Sequence, residues 1–184
     1  MLLPLKFLNG NKMKNAIVFL TFLITVFVVI FLLSLLLPSK VTVTKSVEIN
    51  GSIDKVRSQI IDFDKWKNWY PAFKDKDISV VKNQFSNNLN SVVLIDMKGK
   101  KITLIVIDSA RNEIEVNVES SSSTKVSYQF VLTPKADHQT ELTWNINTQF
   151  GWYPWKRIQV IYLDKFSGDQ YVAALADLKN AVEH

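Results

Sequence analysis

At 184 residues with a hydrophobic share of 47%, the chain is sized for one domain with a real core. It has no cysteine, which excludes disulfides and thiolate metal ligands. The formal net charge is +5, but residues 1–37 hold three of the 22 basic residues and none of the 17 acidic ones, so the remainder sets 19 against 17 and offers no electrostatic case for nucleic acid.

Residues 1–15 form a short basic segment with Lys6, Lys12 and Lys14. Residues 16–37, Ala16 to Leu37, then run without a charge, and only Thr21, Thr25 and Ser34 are polar. As a helix this stretch would be about 33 Å long, matching a hydrocarbon core of about 30 Å. It is too long for the apolar region of a cleaved signal peptide, and Leu35-Leu36-Leu37-Pro38-Ser39 offers no small-residue cleavage site. A retained single-pass membrane anchor is the expectation. Lysines before it outnumber Lys40 and Lys45 after it, which favours a cytoplasmic N-terminus and places residues 38–184 on the outer side, periplasmic or extracytoplasmic. Met13 is itself a candidate start, which would thin that charge bias.

Pro38 ends the apolar helix, and Val41, Val43, Val47 and Ile49 then alternate with polar residues as a strand, with Lys45 on the apolar face marking an end or edge position. Asn50-Gly51 turns the chain. Ser52 is an N-cap with Asp54 in the first turn, and Val56, Ile60 and Phe63 form the buried stripe of a short helix. Pro71 should end any helix continuing through Trp66. Six strands follow, near 78–81, 92–97, 102–108, 113–119, 126–132 and 141–147, with Lys98-Gly99-Lys100 as a hairpin turn and Ser120 to Ser123 as a loop. Short connections make these strands antiparallel, and their single apolar face needs a cover. The remaining candidate is the C-terminal segment from Gly151 to Glu183, whose Trp155, Ile158, Tyr162, Phe166, Tyr171, Leu175, Leu178 and Val182 recur at helical spacing. Thirty helical residues would run about 45 Å, longer than a domain of this size is wide, so Gly168 is expected to break or kink the helix.

The order of elements, with Ser46 to Ser52, Asp62-Phe63-Asp64-Lys65-Trp66-Lys67-Asn68-Trp69-Tyr70-Pro71, Phe150-Gly151-Trp152-Tyr153-Pro154 and Leu175-Ala176-Asp177-Leu178-Lys179, resembles the polyketide cyclase/dehydrase-like branch of the START/Bet v 1 (SRPBCC) superfamily in its membrane-anchored bacterial form. The resemblance covers residues 38–184. It implies an α+β helix-grip fold, with a seven-stranded antiparallel sheet curled around a long C-terminal helix and an apolar cavity between them. Members often carry a glycine-rich stretch between the second and third strands, where Phe85 to Asn90 holds no glycine.

The two histidines, His138 in an expected turn and His184 at the terminus, build neither a metal site nor a catalytic triad. Asp62 with Asp64 and Asp75 with Asp77 sit among lysines and read as solvated surface. Asp96 and Asp108 carry more weight, because the alternation of their strands can turn either inward. The aromatics Trp66, Trp69, Tyr70, Phe73, Trp144, Trp152, Phe166 and Tyr171 are the candidate ligand-binding residues, lining an apolar pocket with indole and phenol groups to orient a ligand. The competing readings are core and lid packing and, for Trp152, Tyr153 and Trp155, a bilayer-surface belt. Binding of a hydrophobic small molecule or lipid, without a cofactor or metal, is therefore the expected function. A cyclase/dehydratase-type enzyme and a non-catalytic module with a filled core are the alternatives. A cavity of several hundred cubic ångströms would favour binding; interdigitated Trp and Phe side chains would favour a filled core.

Overall fold

The computed structural model describes residues 10–84, 90–135, 138–151, 156 and 160–184. Compact packing divides the chain after Pro38 into two units. The first contains α1 (Gly10–Leu35), which over Met13–Leu35 has a mean hydropathy of 3.2 and is long and apolar enough to cross a membrane. Thr21 and Thr25 do not interrupt that character, because each hydroxyl donates at 2.9 Å to the carbonyl four residues earlier, Ile17 and Thr21 respectively.

The second unit, Ser39–His184, is built on one sheet. Its strands are β1 (Lys40–Asn50), β2 (Ile78–Gln84), β3 (Asn90–Asp96), β4 (Lys101–Ala110), β5 (Glu113–Ser120), β6 (Lys125–Pro134) and β7 (Gln139–Gln149). All seven pair antiparallel in the order β1-β7-β6-β5-β4-β3-β2, so consecutive strands from β2 to β7 are neighbours and β1 closes onto β7. That leaves β1 and β2 as the edges, which suits the inward-facing, half-buried Lys45 on β1. Alternation splits the sheet into a dry inner and a wet outer face. Inward, Ile49, Val92, Leu104, Ile114, Val116, Phe130, Leu132, Leu142 and Ile146 are essentially inaccessible. Outward, a polar ladder runs from Thr42 to Asn147 (2.7 Å), from Thr44 to Asn145 (2.8 Å), and from Asn145 through Gln129 to Glu113 (3.1 and 2.6 Å).

Between β1 and β2 lie α2 (Ile53–Ile61), a 3-10 helix (Phe63–Asn68) and α3 (Pro71–Lys74). Ser52 caps α2 as expected, its Oγ accepting the Lys55 N–H at 3.4 Å. Arg57 on α2 donates to the carbonyls of Ser109 (2.7 Å) and Ala110, fastening the helix to the end of β4. Pro71 opens a helix as well as closing one. The 3-10 helix ends at Asn68, and Pro71 then occupies the first turn of α3, where its missing N–H costs nothing.

The cover is α4 (Val160–Glu183), a single helix of 24 residues. The expected break at Ser167-Gly168-Asp169 does not occur. One buried glycine costs a helix about 1 kcal/mol, which the packing of Ala174, Leu175, Leu178 and Val182 outweighs, and 24 residues span only about 36 Å. Ala174, Leu175, Leu178 and Val182 of α4 are buried in the core shared with the sheet. Gly51 is required where α4 meets the end of β1: a Cβ there would sit 2.7 Å from Val182 Cγ1. Beside it, Glu183 Oε1 accepts the Asn50 N–H at 2.7 Å, and Lys74 Nζ lies 2.5 Å from Asp177 on the same helix.

Candidate functional site

Six of the eight candidate aromatics converge: Trp66, Trp69, Tyr70, Phe73, Trp144 and Tyr171 belong to one continuous network of ring contacts. Trp152 lies outside the described residues, as does the side chain of Phe166. Alternation along β6 adds Tyr128 and Phe130, which were legible as an inner strand face but not singled out as site residues.

Local folding explains the convergence. The tight 3-10 turn brings Trp66 and Trp69 together, their ring centroids 4.7 Å apart. Both are fully buried, and both indole N–H groups bond backbone carbonyls of α2: Trp66 to Ile60 at 2.7 Å and Trp69 to Gln59 at 3.2 Å. Their polar groups are thus occupied in fixing the corner onto the sheet. Across the sheet, Phe130 and Trp144 are register partners on β6 and β7 and stack at 5.1 Å. Trp144 also meets Tyr128 edge-on at 5.3 Å and Tyr171 of α4 at 5.0 Å.

Three polar groups lie in this apolar wall. The hydroxyls of Tyr70 and Tyr128 are 2.8 Å apart and hydrogen-bonded. Whichever donates, the hydrogen of the other has no acceptor among the described residues. The Trp144 indole N–H is buried and has no hydrogen-bond partner among the described residues. Burial raises the Tyr128 phenol well above its ordinary value and pushes Tyr70 up to about 12, in Tyr70 against the bond from Tyr128, which lowers it. Tyr171 is raised by burial too. All three phenols therefore stay neutral at physiological pH, and those of Tyr70 and Tyr128 are hydrogen-bonded to each other.

The candidate acids do not join them. A β-bulge between Val106 and Asp108 shifts the register, so Val106 faces Val116 but Asp108 faces Glu115. The simple alternation that would turn Asp108 inward is broken, and its side chain is exposed on the wet face. Asp96 instead caps the β3–β4 hairpin, its Oδ1 accepting the N–H groups of Lys98 (2.9 Å) and Lys100 (2.8 Å). His138 is an exposed turn residue with φ of 61°. Among the described residues no three His, Asp or Glu side chains gather to hold a metal ion.

Cover over the inner face thins along the strands. At the end holding Asn50 and Gln139, Ile49, Ile114, Leu132 and Leu142 are sealed. Toward the other end, where β1 begins, Val41, Ile102, Val118 and Val126 are only partly buried, although Thr148 between Val41 and Val126 is buried and Val47 at the first end is itself only partly covered. The three polar groups sit between these zones, with Tyr128 next to Val126 in its alternating row.

Comparison with known proteins gives the same architecture. The family model described as polyketide cyclase / dehydrase and lipid transport matches residues 40–183. A START superfamily protein from Mycobacterium smegmatis superposes with a TM-score of 0.58 at 19% identity, covering 77% of this chain and 97% of its own. The Zhui aromatase/cyclase from Streptomyces sp. R1128 superposes with a TM-score of 0.59 at 14% identity, covering 78% and 94%. At these identities the likeness establishes the START-like helix-grip fold. No curated protein sequence matches the chain.

Proposed function

The chain belongs to the polyketide cyclase/dehydrase and lipid transport family, and on that premise we propose that it binds a hydrophobic small molecule or lipid between the sheet and α4 while residues 16–37 hold it in a membrane. The observation that carries this reading is the part-buried Tyr70–Tyr128 hydroxyl pair beside the Trp144 N–H, which has no hydrogen-bond partner among the described residues. An orphaned donor in an apolar wall costs about 1–3 kcal/mol, a cost that a ligand oxygen would relieve. The same groups orient such a ligand: its oxygen meets the leftover hydroxyl hydrogen and the indole N–H, and its apolar body lies along Val118, Val126 and Ile102, where the wall is incompletely covered.

The enzyme alternative loses its two carboxylates, since Asp108 faces away and Asp96 is committed to a turn. The filled-core alternative accounts for the interdigitated, fully buried rings of Trp66, Trp69, Phe130 and Trp144, and for the satisfied N–H groups of Trp66 and Trp69. It leaves the Trp144 donor unexplained. Native mass spectrometry of the full chain extracted in mild detergent tests the proposal. A stoichiometric apolar adduct of defined mass is expected; a bare chain, in preparations that also bind no added fatty acid or isoprenoid, would overturn it.

A further inference from the structure

Five of the 16 lysines of residues 39–184 gather at one end of the sheet. Antiparallel register places the start of β1, the start of β6 and the β3–β4 hairpin at the same end. Lys40 and Lys125 both pair with Gln149, and the hairpin contributes Lys98, Lys100 and Lys101. All five are exposed. Lys40 and Lys125 border an open groove of about 420 Å³, and Lys100 and Lys101 a second of about 450 Å³ that also touches Glu119. The local acid Asp96 is turned into the hairpin, bonding its backbone.

At the tip of that hairpin Met97 is 79% exposed, directly before Lys98. One exposed methionine is commonplace. Here it stands on a tight turn fixed by Gly99 at φ 75° and by the Gly99 N–H to Asp96 carbonyl bond of 2.9 Å, flanked by three lysines. A rigid apolar tip ringed by long cationic side chains suits the boundary of a bilayer, where the thioether enters the acyl region and the ammonium groups stay among phosphates. The chain sequence adds a second reason, for β1 begins at this same end with Lys40 only two residues after Pro38.

We propose that this end of the sheet, with Met97 inserted and Lys40, Lys98, Lys100, Lys101 and Lys125 around it, docks on the anionic phospholipid surface of the membrane that residues 16–37 enter. It rests on the membrane reading above. It also gives a direction to ligand exchange, because the incompletely covered stretch of the inner face, Val41, Ile102, Val118 and Val126, lies toward this end.

The absence of native cysteine makes the test direct. Full-length Met97→Cys and His138→Cys, the latter at the opposite end of the sheet, are labelled with an environment-sensitive fluorophore. Both are placed in nanodiscs of phosphatidylcholine alone or mixed with phosphatidylglycerol. A blue shift at position 97 but not at 138 is expected in the anionic discs, and it should shrink in high salt and on Lys98→Glu/Lys100→Glu/Lys101→Glu. Equal emission at the two positions, or a shift indifferent to both lipid charge and the glutamates, overturns the docking. Chain that stays out of the discs altogether overturns the anchor and the docking with it, and is told apart by its elution without lipid.

Discussion

The hydroxyl oxygens of Tyr70 and Tyr128 lie 2.8 Å apart, joining the corner before α3 to β6 across 58 residues of sequence. Because burial raises both phenols, the folded chain keeps their protons at a pH where the unfolded chain has lost them. The folded state then binds more protons than the unfolded, so the stability that these two phenols contribute is full below about pH 10 and is lost as pH rises toward the folded value, about 12 for Tyr70. Denaturant melts of wild type and Tyr70→Phe/Tyr128→Phe between neutral pH and pH 12 check this. The double variant is expected to lose less stability on alkalinisation; parallel curves would show that the hydroxyls are not desolvated.

Gly51→Ala should destabilise the globular unit by about 1–3 kcal/mol, because the new methyl would stand 2.7 Å from Val182 Cγ1. Val182→Ala also destabilises by leaving a cavity, but the pair Gly51→Ala/Val182→Ala should recover part of the loss. Chemical denaturation of the four proteins in a double-mutant cycle measures the coupling, and additivity would contradict the contact.

Trp66 has no exposed surface and packs against Phe63, Trp69, Tyr70, Phe73 and Phe130. Trp66→Ala is expected to cost about 3–5 kcal/mol. By comparison Asp108→Asn, on an exposed outer position, should change stability by less than about 0.5 kcal/mol. Urea midpoints for the two variants give both numbers, and a mild Trp66→Ala would mean that the corner does not clamp the sheet.

Removing residues 1–37 should release the chain from the membrane fraction and leave residues 38–184 folded, since the sheet, its core and α4 all lie in the unit that begins at Ser39. Circular dichroism and cooperative thermal melting of the truncated chain test folding, and fractionation tests anchoring. A full-length chain found only in the soluble fraction would remove the anchor.

The sheet was legible because its signal is local: seven alternating runs, short turns, and a lysine marking β1 as an edge. The errors fall where alternation or propensity is overridden by one residue. A single extra residue in β4 turns Asp108 outward, and no pattern in Ile102 to Asp108 announces it. Of the break or kink expected at Gly168, the break is overturned: local propensity is all a sequence displays, whereas α4 runs on as one helix, held by Ala174, Leu175, Leu178 and Val182 further along. In the candidate site, the aromatics could be picked out by type, but their division of labour could not. Trp66 and Trp144 look alike in the sequence; one spends its N–H on Ile60 and the other has no partner among the described residues. That difference depends on where α2 ends relative to β7, a long-range relationship.

The most direct test of ligand binding at this wall is a titration of the delipidated full chain with a fluorescent polyene fatty acid, read by energy transfer from tryptophan, in wild type, Tyr128→Phe and Trp144→Phe. Saturable binding is expected, weakened about tenfold in each variant for the loss of one hydrogen bond to the ligand, roughly 1.4 kcal/mol. Absence of saturable binding, or equal affinity in all three proteins, would contradict binding at the Tyr70, Tyr128 and Trp144 wall.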